Sequence, residues 1–141
     1  MSIVILSSSH RKNSNSMNTA RFLESRLLEK NIASDVLVMD LSAIKLPLWD
    51  DCMWEKEANP LKEKWAPIAA ELKKADGFIF ISPEWSGMSS PALHNFILFC
   101  SWQELAHKPA LLTTVSTGIG GAYPISEIRM SSYKNTRVCY L

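Results

Sequence analysis

Ser7-Ser8-Ser9-His10-Arg11-Lys12-Asn13-Ser14-Asn15-Ser16 is a polar decapeptide set between two hydrophobic segments. Before it runs Ile3-Val4-Ile5-Leu6, a short apolar run rich in β-branched residues that reads as a buried strand; after it Met17 opens a helical pattern. A strand, a loop of hydroxyls and amides, and a helix start together make an anion site. Backbone N–H groups in the first helical turn have no partner inside the helix, and the helix dipole favours negative charge there. Arg11 and Lys12 add charge, and Ser9, Ser14 and Ser16 can donate from short side chains. The competing reading is that Ser and Asn only solvate a loop and cap a helix. Placement directly after the first strand favours phosphate.

Working outward, Met17, Ala20, Leu23, Leu27 and Leu28 recur at helical spacing as far as about Asn31, with Arg21, Glu24, Arg26 and Glu29 on the other side. Ser34 to Met39 reads as a second strand, followed by an irregular segment carrying Pro47, Trp49, Asp50, Cys52 and Trp54. Asn59-Pro60 is a cap and first turn for a helix running toward Ala75. Pro67 forces a choice there: the helix either kinks at that residue or begins at it. Gly77 to Ser82 is a third strand, apolar on both faces as in a covered parallel sheet. Pro83 to Ser90 is a second special loop, leading through Pro91 into a helix to about Trp102. On it Leu93, Phe96, Ile97 and Cys100 form one stripe, which Leu98, Phe99 and Trp102 widen beyond a single packing face. The extra face is expected to meet a second subunit, giving a homodimer or higher homo-oligomer; a neighbouring helix of the same chain is the alternative. Pro109 to Val115 is the fourth strand, Ser116-Thr117-Gly118-Ile119-Gly120-Gly121 the third special loop, Tyr123 to Ser131 a weaker helix, and Arg137 to Leu141 the start of a fifth strand.

The totals bound what such a chain does. One domain is expected over 141 residues, and 47% hydrophobic against 21% charged residues fit a packed core. Fifteen basic and 14 acidic residues leave a net charge of +1, which argues against nucleic acid as a partner and against a strongly acidic one-electron carrier. Three widely spaced cysteines without a C-x-x-C pair read as reduced thiols of a cytoplasmic protein, not a disulfide framework or a zinc site. The opening apolar run is too short for a signal peptide and no stretch is long enough to span a membrane, so no membrane partner is expected. His10, His94 and His107 are scattered and read as surface residues; no metal site and no catalytic side chain is assigned.

Strands alternating with helices imply parallel pairing through right-handed crossovers, the doubly wound α/β architecture, whose ligands sit beyond the carboxyl ends of the strands. The three irregular loops follow the first, third and fourth strands, so one ligand can touch all three. G-x-G-x-x-G is absent after the first strand, as is G-x-x-x-x-G-K-[ST], which argues against a Rossmann dinucleotide site and a P-loop nucleoside triphosphatase. A signalling receiver would carry clustered acids where this chain has serines.

Together the loops resemble the NADPH-dependent FMN reductase family of flavodoxin-like proteins, which includes quinone, chromate and azo reductases. The family's first-loop pattern G-S-x-R-x-x-S-x-N is similar to Ser8 through Ser16 at Ser9, Arg11 and Ser14, and its P-E-Y-N-G-S and L-K-N to Pro83-Glu84-Trp85-Ser86-Gly87-Met88 and Leu93-His94-Asn95. The resemblance implies a sheet in the order 2-1-3-4-5, FMN as cofactor, NADPH or NADH as electron donor, and a flavin, quinone or other small molecule as acceptor. It assigns Ser9, Arg11, Ser14 and Ser16 to the FMN phosphate, and Pro83, Glu84, Trp85, Ser86 and Gly87 to the flavin ring. Ser116, Thr117 and Gly118 fall along the ring's other edge. Ser8 and Asn13 stand where the family has glycine; Asn tolerates left-handed backbone and Ser does so less readily. Trp85 and Ser86 replace Tyr and Asn, so the indole either stacks on the flavin or crowds the face where nicotinamide lies. Family members continue past the fifth strand into a last helix, so a shortened C-terminus, or a dimer covering the gap, is expected here. Two rivals to the reductase follow: an electron carrier or shortened flavin-binding module without turnover, and an interaction protein that kept the fold and lost the ligand.

Overall fold

In a computed structural model of the chain, which describes residues 1–118 and 120–141, five parallel strands lie in the order β2-β1-β3-β4-β5. The elements are β1 (Ser2–Ser7), α1 (Asn15–Glu29), β2 (Asp35–Asp40), α2 (Leu41–Ile44), α3 (Pro60–Lys74), β3 (Gly77–Pro83) and α4 (Pro91–Phe99). They continue with α5 (Trp102–Leu105), β4 (Pro109–Val115), α6 (Ala122–Met130), α7 (Tyr133–Thr136) and β5 (Cys139–Tyr140), and a 3-10 turn spans Asp51–Trp54. This is the flavodoxin-like arrangement, with the strand order reversing between β1 and β3.

The period-two alternation of the strands sorts the core into two layers. Register pairs Val4 with Phe78 and Leu6 with Phe80, and these side chains pack with Leu72, Leu93, Phe96 and Leu105 on the α3/α4 side. Ile3, Ile5, Ile79 and Ile81 point the other way, onto Ala20, Met17, Leu23 and Leu27 of α1. Every residue of β3 is buried, as its unbroken apolar run requires for a central strand. Phe80 and Phe96 are fully buried, and truncating either to Ala would cost about 3–5 kcal/mol in lost burial and residual cavity. The α1 layer thins across β4, where Leu111, register partner of Ile79, is 42% exposed.

Pro67 neither starts nor stops a helix. Asn59 caps α3 by accepting the Lys62 N–H, Pro60 occupies the first turn, and the helix runs through Pro67 to Lys74. Proline has no N–H to offer the carbonyl four residues back, so the cost falls on Glu63, near the helix start. The helix expected to reach Trp102 stops at Phe99 instead. Ser101 accepts the Gln103 N–H while the Glu104 carboxylate accepts the Ser101 N–H, a reciprocal cap that starts the separate turn α5. Phe99 is buried against Trp65 of its own chain, at 5.3 Å between ring centroids, while Leu98 and Trp102 stay exposed.

Candidate functional site

The carboxyl ends of β1, β3 and β4 open onto a cavity of about 370 Å³ lined by Ser9, Arg11, Asn13, Ser14, Asn15, Ser16, Pro83, Glu84, Trp85, Val115 and Thr117. One end is the start of α1. Ser14 caps that helix, its hydroxyl oxygen accepting the Met17 N–H at 3.1 Å, which leaves its own proton free to donate. Ser9 is buried and accepts the Arg11 N–H at 3.2 Å with its proton likewise free. Asn15 and Ser16 occupy the first turn, where the N–H groups have no intrahelical acceptor, and no acidic residue stands in that turn. The Ser16 hydroxyl is buried and makes no hydrogen bond among the described residues. A buried orphan hydroxyl costs about 1–3 kcal/mol, and its place in the cavity wall fits an oxygen-rich anion that would accept from it. Arg11 and Lys12 are exposed, one in the cavity lining and the other beside it.

The other end is a tight reversal after β3. Trp85 N–H donates to Met88 O and Met88 N–H to Trp85 O, both at 2.9 Å, and the two central residues have positive φ, +51° at Ser86 and +74° at Gly87. A two-residue connection of that hand needs left-handed backbone at both positions, which Gly87 adopts freely and Ser86 under strain. Across from it the β4 loop leads to Gly121, where φ is +70° and an added Cβ would sit 2.6 Å from Thr114 Oγ1. Thr114 Oγ1 donates to the Gly121 carbonyl at 2.7 Å, fixing the start of α6 to β4. Ile119, within the loop, lies outside the described residues.

The loops are tied to one another. Ser8 donates to Ile81 O from both its N–H (3.0 Å) and its hydroxyl (2.9 Å), and buried Ser90 donates to Ser8 O at 2.7 Å while accepting the Leu93 N–H as cap of α4. Ser8, in place of glycine, therefore sits without positive φ and earns a buried role. Asn13 does adopt a left-handed φ of +53°. Glu84 N–H donates to Val115 O at 2.9 Å, joining the second loop to the third. His10 packs edge-on against Trp85 with ring centroids 4.3 Å apart, so the indole is a wall between the first and second loops.

Ser9, Arg11, Ser14, Ser16, Pro83, Glu84, Trp85 and Thr117 are thus brought together in one cavity; Ser86, Gly87, Ser116 and Gly118 flank it without lining it. Three lining residues were not picked out from sequence. Asn13 and Asn15 lie in the decapeptide itself, where an unbroken polar run signals the loop without ranking its members; Val115 reads as strand interior. A separate cluster, Ser89, His94 and Glu127, went unseen because its members come from separate elements. Ser89 N–H donates to Glu127 Oε2 at 2.7 Å, and His94 Nε2 lies 2.6 Å from Ser89 Oγ and 3.2 Å from Glu127 Oε1. Burial opposes ionisation of Glu127, but the Ser89 and His94 contacts outweigh it and hold the carboxyl below the usual glutamate range. No group of three or more metal-ligating side chains occurs among the described residues.

The sequence model for the NADPH-dependent FMN reductases matches residues 1–131. An NADPH azoreductase from Bacillus sp. (strain OY1-2) is 29% identical over 114 residues, 79% of this chain and 62% of that protein. A quinone reductase from Escherichia coli (strain K12) is 33% identical over 102 residues, 69% of this chain and 53% of that one. The chain therefore spans little more than half the length of these curated relatives. In fold it is similar to a flavoenzyme NAD(P)H:(acceptor) oxidoreductase from Paracoccus denitrificans, with TM-score 0.72, 19% identity and coverage of 99% of this chain and 74% of that one. An NADH:FMN oxidoreductase in its apo form gives TM-score 0.66 at 21% identity, covering 99% and 71%.

Proposed function

The chain belongs to the NADPH-dependent FMN reductase family, and from that premise we propose that it binds FMN in the 370 Å³ cavity and uses NADPH or NADH to reduce a small acceptor such as a flavin, a quinone or an azo compound. The single observation that carries the reading is the orphan Ser16 hydroxyl in a cavity wall that also presents free first-turn N–H groups and Arg11. That donor set suits a phosphate dianion: short hydroxyls from Ser9, Ser14 and Ser16, backbone N–H groups, and a guanidinium with bidentate geometry. When bound, FMN supplies the two-electron chemistry, accepting hydride from a nicotinamide and passing reducing equivalents on.

The chain's residues position and shield. Pro83, Glu84, Trp85, Ser86 and Gly87 form the lip against which the ring lies, and Ser116, Thr117 and Gly118 the opposite lip. Gly87 keeps the reversal free of a Cβ, so backbone N–H groups can approach a flat ring and favour the negative charge that develops on reduction. Trp85, braced by His10, sets the width of the opening and with it the size of donor and acceptor. No side chain is assigned as general acid or base.

The test is NADPH consumption by FMN-loaded protein with a quinone present. A rate above that of free FMN is expected; bound FMN without nicotinamide oxidation would replace the enzyme by a flavin-binding carrier, and failure to quench FMN fluorescence would exclude the ligand altogether.

The same reading includes a homodimer. A groove of about 1000 Å³ away from the flavin cavity is lined by Trp49, Trp54, Leu98, Trp102 and Met130, with Trp54, Leu98, Trp102 and Met130 more than half exposed. Apolar side chains gathered in that way suit an interface between copies. Sedimentation velocity across micromolar dilutions is expected to report a dimer, and a monomer throughout would remove the proposal. The proposal extends to a cytoplasmic location, supported by three free cysteines, Cys52, Cys100 and Cys139, which suit a reducing compartment. No helix among the described residues is long and apolar enough to cross a membrane.

A further inference from the structure

We propose that Glu127 and His94 are positioning residues for the flavin ring: they strap α6 to the loop of residues 83–90 and so fix the gap between the two lips. The inference rests on the FMN reading above and deepens it, because neither residue lines the cavity and both act through the loop that does.

Two contacts carry it, one helical turn apart. Tyr123 and Glu127 are four residues apart on α6 and share a face. A Cβ built on Gly87 would lie 3.9 Å from the Tyr123 ring, so this face reaches the reversal at its tip. One turn on, Glu127 Oε2 accepts the Ser89 N–H at 2.7 Å, reaching the same loop near its base. The second carboxylate oxygen faces His94 Nε2 at 3.2 Å. Ser89 Oγ lies 2.6 Å from the same nitrogen, so the imidazole meets both the Ser89 hydroxyl and the Glu127 carboxylate through Nε2, and with Nε2 protonated it can donate to the carboxylate. His94 belongs to the first turns of α4, which Ser90 caps, so the cluster joins helix, loop and helix.

Without the strap, α6 would remain fastened to β4 through Thr114 and Gly121, and the 83–90 loop to β4 through Glu84 and Val115. Neither fastening sets the distance between Gly87 and α6. The decapeptide, in contrast, is held by Ser8, Ser90 and α1, none of which hydrogen-bonds to the Glu127 or His94 side chain; Ser90 meets His94 only through the backbone, its carbonyl accepting the His94 N–H in the first turn of α4. A positioning role therefore predicts a loss confined to the ring. A general structural role predicts loss at both ends.

Two probes separate the ends on the full chain: lumiflavin, which has the ring without the phosphate, and inorganic phosphate, followed through the amide shifts of residues 9–16. Glu127→Ala is expected to weaken lumiflavin and FMN by the same factor, roughly tenfold, the scale of one hydrogen bond to a charged group, with phosphate affinity unchanged. His94→Gln, whose amide can still donate to Glu127, should retain most of the affinity that His94→Ala loses. Should Glu127→Ala fold poorly, the near-isosteric Glu127→Gln gives the same comparison with a smaller effect, and faster hydrogen exchange at the Ser89 amide is expected in both. Unchanged lumiflavin affinity in these variants, or an equal loss of phosphate affinity, overturns the strap alone. A wild-type chain that binds neither FMN nor lumiflavin overturns the FMN reading and the strap with it.

Discussion

At one end of the cavity the backbone is held by α1, a fifteen-residue helix with a serine cap and no acid in its first turn; at the other it is held by a two-residue reversal, not itself part of a helix. The α1 end gathers its donors from consecutive residues, and their directions follow from helix geometry alone. The turn end must borrow its rigidity, from Glu84 on Val115, from His10 against Trp85 and from Glu127 on Ser89. A charged, compact group can be bound by a local motif, whereas a wide flat ring needs surfaces supplied from distant points of the chain. Affinity should therefore be concentrated at the α1 end, and ring geometry distributed over the turn end.

The largest expected effect breaks the first half of that contrast. Arg11→Ala removes the one guanidinium in the cavity lining among the described residues, and a charge-assisted hydrogen bond is worth about 1.5–3 kcal/mol, so FMN affinity should fall roughly 10- to 100-fold. Lumiflavin affinity, measured by the same fluorescence titration, should be unchanged. Equal losses for both flavins would mean that the guanidinium serves the ring and that the two ends are not separable.

Ser16→Ala sharpens the comparison, with a smaller effect of opposite sign in the two states. Its hydroxyl is buried without a partner in the free chain, so deleting it should raise folding stability by about 1 kcal/mol, read from urea unfolding without ligand. FMN affinity should nevertheless drop several-fold. Ser14→Ala makes the control, because that hydroxyl caps α1 and its loss should lower stability by about 1 kcal/mol. Two serines two residues apart would then move stability in opposite directions while both weaken the ligand.

The same division explains what the sequence discloses. The decapeptide is readable because a strand, polar loop and helix start are contiguous, and the strand order follows from alternating elements and the family motifs. Asn13 was legible too, since an amide side chain at a glycine position fits the left-handed φ it adopts. Less was legible where partners are far apart in the chain. The Ser8 and Ser90 hydroxyls join segments more than seventy residues apart, and the serines carry no sign of it. His94 read as a surface residue because its partner, Glu127, lies on another helix. The break after Phe99 was misread for a different reason: Trp102 continues the apolar stripe, and that periodicity masked the Ser101 and Glu104 cap that starts a new turn.

Ser86 offers the smallest and most local test, because the two ends meet the same backbone problem with different residues. Asn13 holds φ at +53° with a side chain that tolerates it, while Ser86 holds φ at +51° without that tolerance. A left-handed non-glycine residue costs about 1–2 kcal/mol, and Asn recovers part of it by bonding its own backbone. Reversals of this hand favour Asn-Gly, and Gly87 already supplies the second half. Ser86→Asn should therefore stabilise the chain by about 0.5 kcal/mol, visible as a thermal midpoint raised by roughly 1–4 °C. Since the reversal keeps its shape, lumiflavin affinity should stay within about twofold, a change smaller than 0.5 kcal/mol. A gain in stability bought with a marked loss of lumiflavin would show instead that the strain at Ser86 serves the ring, giving the turn end a functional reason to differ from the α1 end.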